Sequence, residues 1–180
     1  SVPVSAGQSL KRFDDYKIFI KNLSKEVMDL LSIRLYPKHD WGWSQFERIK
    51  DMGFESKINL NGYSMNDQLC ESRLSIHTAN STTYLETLAA DYPTIVFWNP
   101  YYWEIRPEAK QYFELLKSSG ILYYNPESAA QQINQIYDCI DSWWDSTQVQ
   151  EAKNEFVQRF AYTSDDYLNE WKKELISVLK

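Results

Sequence analysis

Apolar and polar positions alternate along the chain with two periods, and the switches between them predict its elements. Phe13, Tyr16, Ile20, Leu23, Val27, Leu30 and Leu31 recur at helical spacing, which predicts an amphipathic helix over 13–31. Ile33-Arg34-Leu35-Tyr36 reads as a short strand stopped by Pro37, and Lys57-Ile58-Asn59-Leu60 as another, with Gly62 turning out of it. Between them Ser44-Gln45-Phe46-Glu47 has the form of a capping box, and Gly53 is placed to end its helix. A short helix over 64–71 leads to a strand at Arg73-Leu74-Ser75-Ile76-His77. Asn80-Ser81-Thr82-Thr83 opens a helix running to about Ala90, closed by Tyr92-Pro93. Thr94-Ile95-Val96-Phe97-Trp98 is apolar throughout, as expected of a central parallel strand buried on both faces. A helix from about Pro107 to Ser118 ends at Gly120, and Ile121-Leu122-Tyr123-Tyr124 is the last strand. Asn125-Pro126-Glu127 then supplies an N-cap with proline at the first helical position. Beyond it no strand pattern occurs. Thr147-Gln148-Val149-Gln150 has capping-box form, and helices continue to Lys180.

Strands alternating with helices imply crossovers and a parallel sheet. The expected class is α/β, a Rossmann-like parallel sheet of about five or six strands, with helices on both faces and a helical carboxyl-terminal tail. Val2-Pro3-Val4 running into Ser5-Ala6-Gly7-Gln8 looks like the end of a buried strand and its turn, which suggests a preceding domain. The expected division is an α/β core over 1–126 and a tail over 127–180, packed on the core and on that preceding domain.

Composition narrows the function. A net charge of −6 argues against a general nucleic-acid surface, which needs clustered Lys and Arg. Seven Trp and thirteen Tyr exceed what core filling alone calls for, and such side chains suit interfaces and sugar-binding clefts. Cys70 and Cys139 lack any CxxC or Cys/His spacing, so they read as reduced, partly buried thiols rather than a disulfide or zinc site. No metal ligand set is expected. No apolar run reaches the roughly 20 residues that span a bilayer, and no signal peptide opens the chain. The expected location is cytoplasmic, with peripheral attachment to the inner membrane allowed.

Three strand-end loops could carry chemistry, because ligands of open parallel sheets bind at the carboxyl ends of strands. The segment His77–Thr83 joins a strand to a helix start whose free N–H groups, dipole and hydroxyls can hold a diphosphate; ordinary capping by Thr83-Tyr84-Leu85-Glu86 is the alternative. Glu86, one turn in, can accept both hydroxyls of a ribose or simply cap the helix. Lys38 and His39 follow the Arg34 strand and can neutralise phosphate charge or move a proton, or they can form a plain polar loop. His77 reads as a satisfied, half-buried histidine. Trp98-Asn99-Pro100 and Trp103-Glu104-Ile105-Arg106 offer aromatic faces and a bidentate anion ligand in Arg106. Trp143-Trp144 reads as packing against the sheet or a partner domain. No GxGxxG, Walker A, nucleophile elbow or DxD-like motif occurs.

The stretches Ser81–Ala90 and Pro93–Pro100, continued by Trp103–Arg106, Pro126–Ala130 and Trp143-Trp144, resemble a bacterial family of surface-polysaccharide transferases, the LIC12162 type. More broadly, the Ser-Thr-Thr-x-Leu-Glu helix start followed by Pro-Thr-Ile looks like the carboxyl-terminal domain of GT-B glycosyltransferases. The resemblance implies a nucleotide-sugar donor, no further cofactor, and a glycan acceptor bound through an amino-terminal domain. It implies phosphate contacts at Ser81, Thr82 and Thr83, with Asn80 beside them, and a ribose contact at Glu86. Ser5 and Gly7 match a loop that approaches donor phosphates, and Lys38 and His39 match the place where the leaving diphosphate is stabilised. Asn99 and Arg106 complete the expected donor contacts. This chain alone is then expected to bind donor weakly at best and to turn over nothing. The competing readings are a non-catalytic nucleotide-binding or interaction domain, and an epimerase-like half-enzyme.

Overall fold

The computed structural model describes residues 6–35, 44–60 and 64–178. The helix expected over 13–31 starts earlier and is broken. Helix α1 spans Ala6–Lys21 and α2 spans Lys25–Asp29. Ser24 between them is extended, and its hydroxyl accepts from the Val27 N–H at 3.3 Å. A serine cap thus ends one helix and starts the next, which apolar spacing alone does not register. Helix α3 (Gln45–Asp51) is capped by Ser44 through the Glu47 N–H, and Gly53 at φ 82° turns the chain out after it. Helix α4 (Met65–Cys70) carries a complete capping box between Ser64 and Asp67.

The central part follows in the expected order: β1 (Ser75–His77), α5 (Thr82–Ala89), β2 (Thr94–Phe97), α6 (Lys110–Ser118), β3 (Leu122–Tyr123) and α7 (Pro126–Ile136). A 3-10 turn at Pro107–Ala109 leads into α6, and Gly120 at φ 80° ends it. Asn125 caps α7 through the Ser128 N–H at 2.9 Å. Helices α8 (Ile140–Trp144), α9 (Thr147–Phe160) and α10 (Tyr167–Val178) complete the described chain. Ser146, rather than Thr147, is the N-cap of α9, and no side chain caps it.

Among the described residues the sheet has three strands, all parallel, in the order β1-β2-β3. This corrects the expectation of five or six. Ile33 and Ile58 meet only as an isolated parallel bridge, through the Ile33 N–H to Lys57 O at 2.7 Å and the Asn59 N–H to Ile33 O at 2.9 Å. Glu55–Lys57 takes a 3-10 turn, so the second partner becomes extended only at Ile58 and no ladder develops. The segment Val2–Ser5 lies outside the described residues, as does Tyr36.

Strand β2 is buried along its whole length, and its side chains alternate between two clusters. Val96 and Trp98 join Tyr84, Leu88, Trp103, Phe113, Leu116, Trp144 and Phe156 on the side of α5, α6 and α9. Ile95 and Phe97 join Phe19, Ile20, Ala129, Ala130 and Ile133 on the side of α1 and α7. Each of the buried Val, Leu, Ile and Phe side chains contributes about 1.5–3 kcal/mol. The helices cover both faces, as the uninterrupted apolar run of β2 implies.

Two polar devices tie distant segments to this core. Asn134 of α7 accepts from the Ser24 N–H and donates to Asn22 O, both at 2.8 Å, which fixes the α1–α2 junction on α7. Asp91 holds a positive φ of 53° in the turn before β2. The Trp144 indole N–H donates to its backbone carbonyl at 3.2 Å and to its carboxylate at 3.1 Å, while Gln150 and the buried Lys153 donate to the same carboxylate oxygen. Burial alone would raise the Asp91 pKa; the hydrogen bonds from Lys153, Gln150 and Trp144, with the Lys153 charge, outweigh it and lower the pKa. Trp144 therefore packs within this chain, as does half-buried Trp143. Cys70 and Cys139 are free and exposed, not partly buried. No helix among the described residues is long and apolar enough to cross a membrane.

Candidate functional site

The parallel sheet brings the loops after β1 and β2 to the same edge, and α1 lies across them. The loop after β1 runs through Thr78, Ala79 and Asn80 to Ser81, the extended N-cap residue of α5. The Ser81 hydroxyl bonds none of the first-turn amides. Those amides have no intrahelical partner, so the start of α5 presents open donors at its positive end. The capping box expected from Thr83 and Glu86 does not form, because the helix begins two residues earlier than that box requires, at Thr82 with Ser81 as N-cap. Thr82 and Glu86 are exposed, and Ser81 and Thr83 half-buried. Asn80 is committed inward, its Oδ1 accepting from the Tyr84 hydroxyl at 2.9 Å.

His77, at the end of β1, is a structural residue. Its Nε2 lies 2.9 Å from the Ser75 hydroxyl and 3.2 Å from the Thr87 hydroxyl, and burial pushes its pKa down to about 4. The imidazole is neutral at pH 7 and joins β1 to α5.

The loop after β2 faces α1 across an open cleft of about 510 Å³ lined by Lys11, Asp14, Asp15, Asn99, Tyr101 and Tyr102. Beneath it a cavity of about 10 Å³ reaches Arg12, Tyr16, Thr78, Trp98 and Trp103. The Tyr16 hydroxyl accepts from Thr78 at 2.9 Å and from Arg12, whose guanidinium also sits 5.5 Å from the Tyr16 ring centroid. Burial raises the Asp15 pKa, and the neighbouring charges of Asp14 and Glu127 add to it. The Asn99 Oδ1 accepts from the Tyr101 N–H at 3.0 Å. The buried Trp98 indole N–H has no hydrogen-bond partner among the described residues. An unpaired buried donor costs about 1–3 kcal/mol.

Of the expected site residues that lie among the described ones, only Asn99 lines this cleft. Ser81, Thr82, Thr83 and Glu86 stand at the α5 end of the same strand edge, joined to the cleft through Thr78. Gly7 lies in the first turn of α1, while Ser5, Lys38 and His39 lie outside the described residues. Arg106 is exposed at the 3-10 turn before α6 and does not line the cleft. The tryptophans expected to offer faces to a ligand are core residues, Trp98 at 3% and Trp103 at 8% exposed; Tyr101 and Tyr102 carry the aromatic surface instead. Sequence reasoning included Thr78 in the His77–Thr83 segment but missed Lys11, Arg12, Asp14, Asp15 and Tyr16. The signal was the polar stripe of α1, in which Lys11, Asp14 and Asp15 sit three and four apart, beside an apolar face that drew the attention. Among the described residues no group of three or more His, Cys, Asp or Glu is placed to hold a metal.

The sheet is three-stranded and parallel among the described residues, and a helix start and a cleft lie at its carboxyl edge, the place where open parallel sheets bind their ligands. The class of protein is a transferase: the model of the LIC12162 family transferases matches residues 1–175, and the chain belongs to that family. No curated protein and no solved structure matches the chain.

Proposed function

We propose that this chain is the donor-binding domain of a glycosyltransferase, taking a nucleotide-sugar for the assembly of a cell-surface polysaccharide. The observation that carries this reading is the first turn of α5, free of side-chain caps and opening at the carboxyl end of β1 in a transferase-family chain. Its amides, with the hydroxyls of Ser81, Thr82 and Thr83, suit a diphosphate, and Glu86 suits the ribose hydroxyls. The task of such a site is electrostatic: fixed donors stabilise the negative charge that grows on the diphosphate as the glycosidic bond breaks. In this reading Lys38 and His39 add positive charge there, and a separate domain binds and activates the acceptor.

Calorimetry with UDP-, GDP-, CMP- and dTDP-linked sugars tests it. One nucleotide is expected to be preferred, and Glu86→Ala is expected to weaken it about 10- to 100-fold, as loss of hydrogen bonds to a charged group does. Absence of binding by all four classes overturns the proposal. An interaction domain is the second reading, favoured by α10, on which Leu168, Trp171 and Leu175 are exposed.

A further inference from the structure

Arg12 is held in place without being neutralised. Its Nε–H donates to the Tyr16 hydroxyl one turn along α1, and its guanidinium lies 5.5 Å from that ring's centroid. The same hydroxyl accepts from Thr78, in the loop after β1, at 2.9 Å. These contacts place the guanidinium at the carboxyl edge of the sheet, where Arg12 lines the small cavity with Thr78 and Asn99. They also restrain a long side chain, so part of the entropy that a ligand would have to remove is already gone.

The charge has no counterpart. Among the described residues no carboxylate lies within ion-pair distance of Arg12. Asp14 is bridged to Lys17 at 3.5 Å. Asp15 is not its partner either: burial and the charges of Asp14 and Glu127 raise the Asp15 pKa, whereas a guanidinium in contact would lower it. Of the Arg12 donors only Nε–H has a hydrogen-bond partner among the described residues. The terminal nitrogens keep their N–H groups, in the planar fork that matches two oxygens of one phosphate. Lys11, the preceding residue of α1, lines the open cleft above and also has no ion pair among the described residues. In a chain of net charge −6, this corner of the sheet edge holds two adjacent cations that the protein leaves for an anion.

We propose that Arg12, with Lys11 beside it, binds the phosphoryl oxygens of a ligand at the carboxyl end of β1, and that Tyr16 and Thr78 position its guanidinium to do so. The identity of that ligand rests on the donor-binding reading, in which it is the diphosphate of the nucleotide-sugar. Two cations match a doubly charged diphosphate better than a lone carboxylate.

The readout is the Arg12 Nε–H resonance of the ¹⁵N-labelled chain, identified by its loss in Arg12→Gln, with affinities taken from the same titrations. UDP, GDP, dTDP and CMP are compared with their parent nucleosides. The preferred nucleotide is expected to move the Nε–H resonance and its nucleoside to leave it still. Arg12→Gln should weaken the nucleotide about 10- to 100-fold, as loss of hydrogen bonds between charged groups does, with nucleoside affinity and the urea midpoint unchanged. Arg12→Lys keeps the charge without the fork and should recover only part of that loss. Tyr16→Phe keeps the charge but releases its anchor, and should weaken the nucleotide by a smaller factor than Arg12→Gln. If the nucleotide binds Arg12→Gln with full affinity and the wild-type resonance does not move, the Arg12 proposal falls and the donor-binding reading stands. If no nucleotide binds, that reading falls, and inorganic pyrophosphate decides Arg12: a shift of its resonance, with binding lost in Arg12→Gln, upholds the anion site, and no shift overturns it.

Discussion

On one side of β2, Val96 and Trp98 meet Tyr84, Trp103, Phe113, Trp144 and Phe156, an aromatic cluster supplied by residues 79–156. On the other side, Ile95 and Phe97 meet mainly aliphatic and alanine side chains, a third of them, Phe19, Ile20 and Val27, brought from α1 and α2. The aromatic side is local in sequence and knit by edge-on ring contacts, such as Phe113 with Phe156 at 5.1 Å and Trp98 with Phe113 at 5.9 Å. The aliphatic side depends on a junction between Ser24 and Asn134, 110 residues apart. The cleft lies where the two constructions meet: Asn99, Tyr101 and Tyr102 follow β2, while the opposite wall belongs to α1. One wall is therefore set by a contiguous scaffold and the other by long-range docking, which locates the adjustable side of the site in α1.

The sharpest way to break this comparison is Phe156→Ala. Phe156 is fully buried against Tyr84, Phe113 and Phe160, and its truncation should cost about 3–5 kcal/mol in urea unfolding, with all probes shifting together. A loss confined to α9 would show that the aromatic side is not one unit.

Acid provides a second handle. His77 has an ordinary pKa of 6.5 when unfolded and about 4 when folded, so below pH 6.5 the unfolded chain binds the extra proton. Stability should fall as pH drops from 6.5 towards 4, by up to about 3 kcal/mol from this residue. Unfolding midpoints at pH 7, 5.5 and 4 would show the slope, and His77→Gln should flatten it. An unchanged slope in that variant would remove His77 from the β1–α5 junction.

The smallest effect belongs to the aliphatic side. Asn134→Ala removes one bond to the Ser24 N–H and one to Asn22 O, and should cost about 1–2 kcal/mol. Hydrogen exchange should quicken in α1 and α2 while β2 stays protected. Equal quickening in β2 would mean that α1 is as integral to the core as α9.

Much of the centre was legible without coordinates. The run Thr94–Trp98 identified the buried middle strand, Asn125-Pro126 the start of α7, and Gly53 and Gly120 the ends of their helices. Each is a local signal, set by side-chain sterics or by a cap within three residues. The sheet was over-counted because Ile33–Tyr36 and Lys57–Leu60 have strand-like composition, yet pairing requires two extended partners in register, and the turn at Glu55–Lys57 leaves only one bridge. The aromatic residues were legible as a surplus but not as a place: Trp98 and Trp103 went to the core and Tyr101 to the surface within one loop.

What the sequence determined by itself was the α/β order, the central strand, the well-capped helices and the transferase family, because periodicity, capping chemistry and motif are carried by neighbouring residues. Which helices sit on which side of β2, and that α1 closes a cleft over Asn99 and Trp98, only the tertiary structure decided. Those facts depend on side chains about a hundred residues apart meeting in space, and no local pattern in a chain encodes which distant polar stripe will line a cleft at the end of β2.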